Sequence, residues 1–137
     1  MSATIQQIAN VSGALGEKSL NNTIANTTYY SMANYDRAMF VVTVGNDGAT
    51  SNLRLQILQS TNTSVLGSAA VSAVTNVAMN SSANAIGKIE VRVDDMNVAG
   101  GYGNIGLQIT ELASAACNVS AIIIRTPSRY PQDTLPA

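Results

Sequence analysis

An all-β fold, an antiparallel β-sandwich of jelly-roll type with extended terminal arms, is predicted for this chain of 137 residues. Three observations predict it. Apolar residues in the informative segments recur with a period of two. Those segments are short and end in turns rich in Gly, Asn, Asp and Ser. No alternation of strands with helix-length segments points to a parallel sheet. A chain of this length makes one domain and can bury a core without a disulfide or metal staple.

Taken in order, residues 1–20 place Ile5, Ile8 and Val11 three apart and then run Gly13-Ala-Leu-Gly16, which reads as a short helix or an N-terminal arm. The sandwich domain is assigned to residues 21–125. Within it Ala38, Phe40, Val42 and Val44 alternate with Met39, Val41 and Thr43, and the run stops at Gly45-Asn-Asp-Gly48. Leu53, Leu55 and Ile57 then alternate with Arg54 and Gln56. These two runs read as an antiparallel pair across a Gly/Asn/Asp loop. Residues 65–79 are rich in Ala and Val and suit a helical face about as well as a strand. Their Ser, Thr, Asn and Val content favours a strand or extended loop, because these residues are poor helix formers.

The second half repeats the pattern. Ile89, Val91 and Val93 alternate with Lys88, Glu90, Arg92 and Asp94, and Ile105, Leu107 and Ile109 with Gly106, Gln108 and Thr110. The first of these strands has one buried and one wet face. From Val119 to Arg125 the run Ile122-Ile-Ile124 does not alternate, as expected of a strand covered on both faces, either centrally in a sheet or by a neighbouring subunit. Residues 126–137 contain Pro127, Pro131 and Pro136 and form a Pro-rich C-terminal arm, since proline removes the donors a regular element needs. The expected core is Phe40, Val42, Leu53, Leu55, Ile57, Val91, Ile105, Leu107, Ile109 and Ile123.

Composition argues against most chemistry. The chain has no histidine, which removes the Ser-His-Asp and Cys-His nucleophile systems and the usual zinc sites. Cys117 is the single cysteine and reads as a small apolar core residue. Asp94-Asp95 is the sole adjacent acidic pair, and its expected role is to open a turn by accepting from backbone amides. Gly101-Tyr-Gly-Asn-Ile-Gly106 matches the glycine pattern of a dinucleotide site, but a strand follows it where that site needs a helix. A glycine-rich hairpin loop is the expectation. No catalytic, cofactor or metal residues are assigned, and an enzymatic role is not expected.

Seven basic and eight acidic residues give a net charge of -1, without the basic excess that nucleic-acid binding draws on. No Lys/Arg run marks a membrane surface, so neither nucleic acid nor membrane is an expected partner. Only 11% of residues are charged, against an average of about 25%. Soluble monomers rely on charge for colloidal stability, so part of this surface is expected to lie against partners. The start of the chain has no basic and apolar leader, and its Asn-x-Ser/Thr matches are therefore read as chance. Tyr and Arg are enriched at interfaces, which makes Tyr102, Arg125, Arg129, Tyr130 and Pro131 the candidate interface residues. The Arg129-Tyr130 pair leads among them.

One stretch carries a family resemblance. It runs Ile89-Glu-Val-Arg-Val-Asp-Asp-Met-Asn-Val-Ala-Gly-Gly-Tyr-Gly-Asn-Ile-Gly-Leu-Gln-Ile109 and closes with Ala121-Ile-Ile-Ile-Arg-Thr-Pro-Ser-Arg-Tyr-Pro131. With Tyr35-Asp-Arg-Ala-Met-Phe-Val-Val-Thr-Val-Gly45 upstream, it resembles small virion proteins of tailed bacteriophages, of the capsid decoration or cement type. The resemblance covers about half the chain and rests on strand and turn grammar; residues 60–85 do not align with it. It implies a structural protein made in the host cytoplasm and placed on the capsid surface. There it would bind the major capsid protein and stabilise capsomer junctions. A connector, tail or receptor-binding module is the alternative. The same analogy implies a homotrimer, which the residues themselves do not separate from a dimer.

Overall fold

Period-two alternation turns one side of each strand inward, and two sheets built this way close over a single apolar layer. The computed structural model of the chain describes residues 9–21, 23–46, 52–62, 68–72, 74–80, 85–112 and 117–127. They form β1 (Asn10–Leu20), β2 (Ile24–Asn26), β3 (Tyr30–Ser31), β4 (Arg37–Asn46), β5 (Asn52–Ser60), β6 (Ala69–Ala70), β7 (Val77–Asn80), β8 (Ala85–Arg92), β9 (Asn104–Glu111) and β10 (Cys117–Thr126). Two short 3-10 turns, Val93–Asp95 and Val98–Gly100, lie between β8 and β9.

One sheet has the order β1-β10-β4-β8. The other has β2-β9-β5-β6, with β3 also against β9 and β7 also against β5. All pairings are antiparallel. β2 and β3 act as two halves of one edge strand, split at Thr27. Its N–H donates to the Leu107 carbonyl (3.0 Å) and its Oγ1 accepts from the Leu107 N–H (2.9 Å). With β6 and β7 likewise sharing one edge, each sheet is four strands wide. This order, in which spatial neighbours come from distant parts of the chain, is that of a jelly roll.

The core lies between the sheets. Phe40, Val42 and Val44 of β4, Ile89 and Val91 of β8, and Val119 and Ile123 of β10 face Leu53, Leu55 and Ile57 of β5 and Ile105, Leu107 and Ile109 of β9. All ten expected core residues are buried. Cys117 is buried as well.

Four expectations need correction. Residues 10–20, assigned to an N-terminal arm, form β1 and pair along β10 from Asn10↔Arg125 to Leu20↔Cys117. Residues 1–8 lie outside the described residues. The runs 38–44 and 53–57 do not pair with each other: β4 lies between β10 and β8, and β5 belongs to the opposite sheet. A hairpin and an arch between sheets both present one apolar face, so alternation cannot separate them. Gly101–Gly106 is likewise no hairpin loop. It completes a crossover from β8 in one sheet to β9 in the other, with Gly101 at φ 92° closing the second 3-10 turn. That conformation is open to glycine and strained for other residues. Finally, Thr126, assigned to the C-terminal arm, ends β10 opposite Arg37, and its carbonyl accepts from the Asp36 N–H at 2.9 Å.

Two other readings hold. The stretch 65–79 holds short edge strands at Ala69–Ala70 and Val77–Asn80 and no helix among the described residues, with a turn between them in which the Val74 N–H donates to the Val71 carbonyl at 3.0 Å. Asp95 serves the turn, its Oδ2 accepting from the Arg92 N–H at 3.0 Å.

Candidate functional site: the outer face of the four-stranded sheet

The strands that supply the core also carry apolar side chains on their other face. In β10 burial alternates strictly, with Ala121, Ile123 and Arg125 inward. Ile122 therefore points away from the core and is 40% exposed. The unalternating Ile122-Ile-Ile124 run sits centrally in its sheet, and no described strand covers its outer side. Pairing registers put the outward residues in rows. Val11 of β1, Ile124 of β10, Met39 of β4 and Glu90 of β8 make one row; Gly13, Ile122, Val41 and Lys88 make the next. Ser120, Thr43 and Ile86 make a third. An apolar stripe thus crosses the sheet, with Val11, Ile86 and Ile122 well exposed and Met39, Val41 and Ile124 half-buried.

Polar groups rim this stripe along β8 and its neighbours. Arg37 Nη1 lies 3.8 Å from Glu90 Oε1, and Arg37 Nε lies 3.4 Å from Asp36 Oδ2. These ion pairs are solvent-exposed and contribute little to stability. Thr43 and Ser120 join their hydroxyls at 2.6 Å. Two hollows mark the same face. One of about 140 Å³ lies beside Met39, Glu90 and Ile124, and one of about 360 Å³ beside Glu17, Thr43, Ile86 and Ser120. Both are lined by strand side chains and neither gathers a convergent set of titratable groups. A broad apolar stripe with a charged rim is the surface type that meets another protein.

The sequence-predicted interface residues fall elsewhere. Arg125 is only 2% exposed, so its assignment to a subunit interface is corrected. It extends inward from β10 and is held within the chain. Nη1 donates to the Ser31 carbonyl and Nη2 to Asn10 Oδ1, each at 2.9 Å. The guanidinium carbon lies 4.6 Å from the Tyr35 ring centroid and 5.5 Å from that of Tyr30. Tyr30 in turn donates its hydroxyl to the Gly13 carbonyl at 2.8 Å. This cluster ties β1, β3 and β10 together. Tyr102 is half-buried on the crossover, where its N–H donates to the Asn97 carbonyl. Arg129, Tyr130 and Pro131 lie outside the described residues. Among the described residues no group of His, Cys, Asp and Glu is placed to hold a metal.

Reading each strand for its inward phase alone misses the stripe. Its signal is apolar residues at both phases, Met39 to Val42 in β4 and Ala121 to Ile124 in β10, in strands that prove to be neighbours.

No family model and no curated protein sequence matches the chain. Solved structures do. A chain from the structure of Triatoma virus superposes with a TM-score of 0.54 at 10% identity, over 100% of this chain and 72% of that one. A chain of the Triatoma virus empty capsid gives 0.54 at 11% identity, over 99% of both chains. One from the native virion of Kashmir bee virus at acidic pH gives 0.50 at 10% identity, over 98% of this chain and 81% of that one. At such identities the likeness is one of fold. The chain is an all-β jelly-roll sandwich resembling viral capsid proteins.

Proposed function

We propose that this chain is a structural virion protein which decorates the outside of a bacteriophage head, docking on the major capsid protein through the outer face of the β1-β10-β4-β8 sheet. The observation that carries the reading is the apolar stripe on that face, Val11, Ile122 and Ile86 above all, in a fold shared with capsid shells. The likeness to small phage virion proteins in residues 89–131 supports it. No catalytic activity belongs to the reading.

Decoration works by mass action. A protein that binds the assembled lattice and not its dissociated parts stabilises the lattice by about 2.7 kcal/mol per site at a hundredfold excess over Kd. Burying the stripe supplies the driving force.

The test is imaging of purified particles, with and without this protein. Added density at capsomer junctions, and heat sensitivity of particles lacking it, is the expected result. Ile122→Glu should fold and fail to bind, since it places a carboxylate in the centre of the stripe. Absence from particles, or a few copies at a single vertex, would overturn the reading.

A further inference from the structure

Each sheet of a sandwich has two edges, and an edge strand offers unpaired main-chain groups to any strand that fits. Most edges here are poor templates. β1 breaks register between Gly13 and Leu15 and again between Leu15 and Lys18. The opposite sheet ends in pieces of two to four residues, β2, β3, β6 and β7. β8 differs. Its eight residues pair with β4 from Ala85↔Val44 to Arg92↔Arg37 without a break, and among the described residues no strand is hydrogen-bonded to its other side, β7 packing on its inner face through Met79 beside Gly87.

Val93 N–H donates to the Asp36 carbonyl at 2.8 Å, so odd-numbered residues of β8 turn their main-chain groups toward β4. Even-numbered residues, Ile86, Lys88, Glu90 and Arg92, turn theirs outward. Arg92 agrees: its N–H is taken by Asp95 Oδ2, which ends the open ladder there. Lys88 and Glu90 are exposed on the outer face of the sheet.

We infer that β8 pairs antiparallel with β8 of a second copy of this chain, centred on Ile89, so that the two sandwiches share one continuous eight-stranded sheet. Charge selects both the partner and the register. Centring on Ile89 sets Lys88 opposite Glu90 of the second copy, twice by symmetry, and Ile86 opposite Arg92. Main-chain bonds run between the outward-turned residues, roughly six in all. Moving the centre to Lys88 sets Lys88 against Lys88. Moving it to Glu90 sets Glu90 against Glu90 and Lys88 against Arg92. Like charges directly opposite oppose pairing. Centring on Gly87 makes no charge pair, and centring on Val91 runs the partner strand into the Val93–Asp95 turn. A register one residue off would set the outer face of one copy against the inner face of the other. The product is an isologous two-fold pair, in place of the threefold that analogy with decoration proteins implies. The apolar stripes of the two copies then lie on one face of the shared sheet. The inference rests on the β8 edge alone and does not require the virion reading.

A bland role for Lys88 exists, since lysine on an edge strand commonly blocks pairing. Charge reversal separates the two. The mass of the full chain, measured by light scattering across a concentration series, should move from 14.2 kDa to twice that value. Lys88→Glu should weaken the pair by about tenfold or more, as it sets Glu against Glu at both ends. Glu90→Lys should do the same, and the double exchange of Lys88→Glu with Glu90→Lys should restore it. Circular dichroism checks that each variant folds. A chain that stays monomeric, forms a trimer, or keeps its pairing through either single reversal overturns the inference. A dimer that responds as stated but does not bind particles overturns the proposed function instead.

Discussion

Replacing Arg125 by alanine tests what holds the β1 end of the sandwich. The guanidinium is buried, and among the described residues no carboxylate lies within ion-pair distance of it. Its charge is met by the Ser31 carbonyl, by Asn10 Oδ1 and by the faces of Tyr35 and Tyr30. Hydrogen bonds to a charged group contribute about 1.5–3 kcal/mol each, and a cation over an aromatic face about 0.5–2 kcal/mol. Against this stands the desolvation of a cation, which costs several kcal/mol, aggravated by a buried Nε that has no hydrogen-bond partner among the described residues. Alanine removes all of these and leaves a cavity and an unmet carbonyl at Ser31. The net expectation is a loss of about 3 kcal/mol. With a urea slope near 2 kcal/mol/M, that moves the denaturation midpoint by about 1.5 M. The measurement is equilibrium urea unfolding at fixed protein concentration, because self-association shifts apparent stability. Two further variants separate the causes. Arg125→Lys keeps the charge but loses the fork and the stacking, and should retain under half of the stability lost in alanine. Arg125→Met keeps most of the volume and loses the donors, and should fall between wild type and alanine. A lysine variant as stable as wild type, or a methionine variant more stable than it, would refute the argument. The first would leave the charge as the whole effect, and the second would make the buried guanidinium a burden.

Other substitutions probe the core and the face. Gly106→Ala should cost about 1–3 kcal/mol by urea unfolding, since a Cβ there would come within 2.9 Å of the buried Tyr29 ring. Gly87→Ala should cost less, because the group it meets first is the thioether of half-buried Met79, which can turn aside. Leu107→Asp should prevent folding, as an unpaired carboxylate in the core costs several kcal/mol against a total margin of about 5–15 kcal/mol; a folded variant by circular dichroism would remove Leu107 from the core. Ile122→Glu should cost no more than about 1–2 kcal/mol, the loss of a branched strand residue and of its pairing with Val41, and a loss as large as that of a core substitution would mean that the stripe already packs within the chain.

What the sequence revealed divides along a physical line. A strand's own residues record which phase turns inward, because every inward position needs an apolar side chain. That is why Phe40, Val42, Leu55, Leu107 and Ile123 can be named from alternation alone. Applied consistently, the same count puts Arg125 inward with Ala121 and Ile123, and its burial is legible although its chemistry draws it toward the surface. A strand's residues do not record which strand lies beside it. Phe40 and Leu55 would look the same across a hairpin as across a sandwich, so the arch from β4 to β5 could not be read. β1 was hidden for a related reason. Its Gly13, Gly16, Glu17 and Lys18 dilute the alternation, and its register breaks carry it out of phase with β10. The outer face falls between these cases. Ile122 and Val41 each break alternation in their own strands, and neither break means much alone. Only the register, which sets Ile122 directly opposite Val41, turns two local irregularities into one surface. Branched side chains suit a strand at either phase, so Ile122 and Val41 singly say little, and it is their meeting across the ladder, beside Met39 and Ile124, that makes a continuous apolar face.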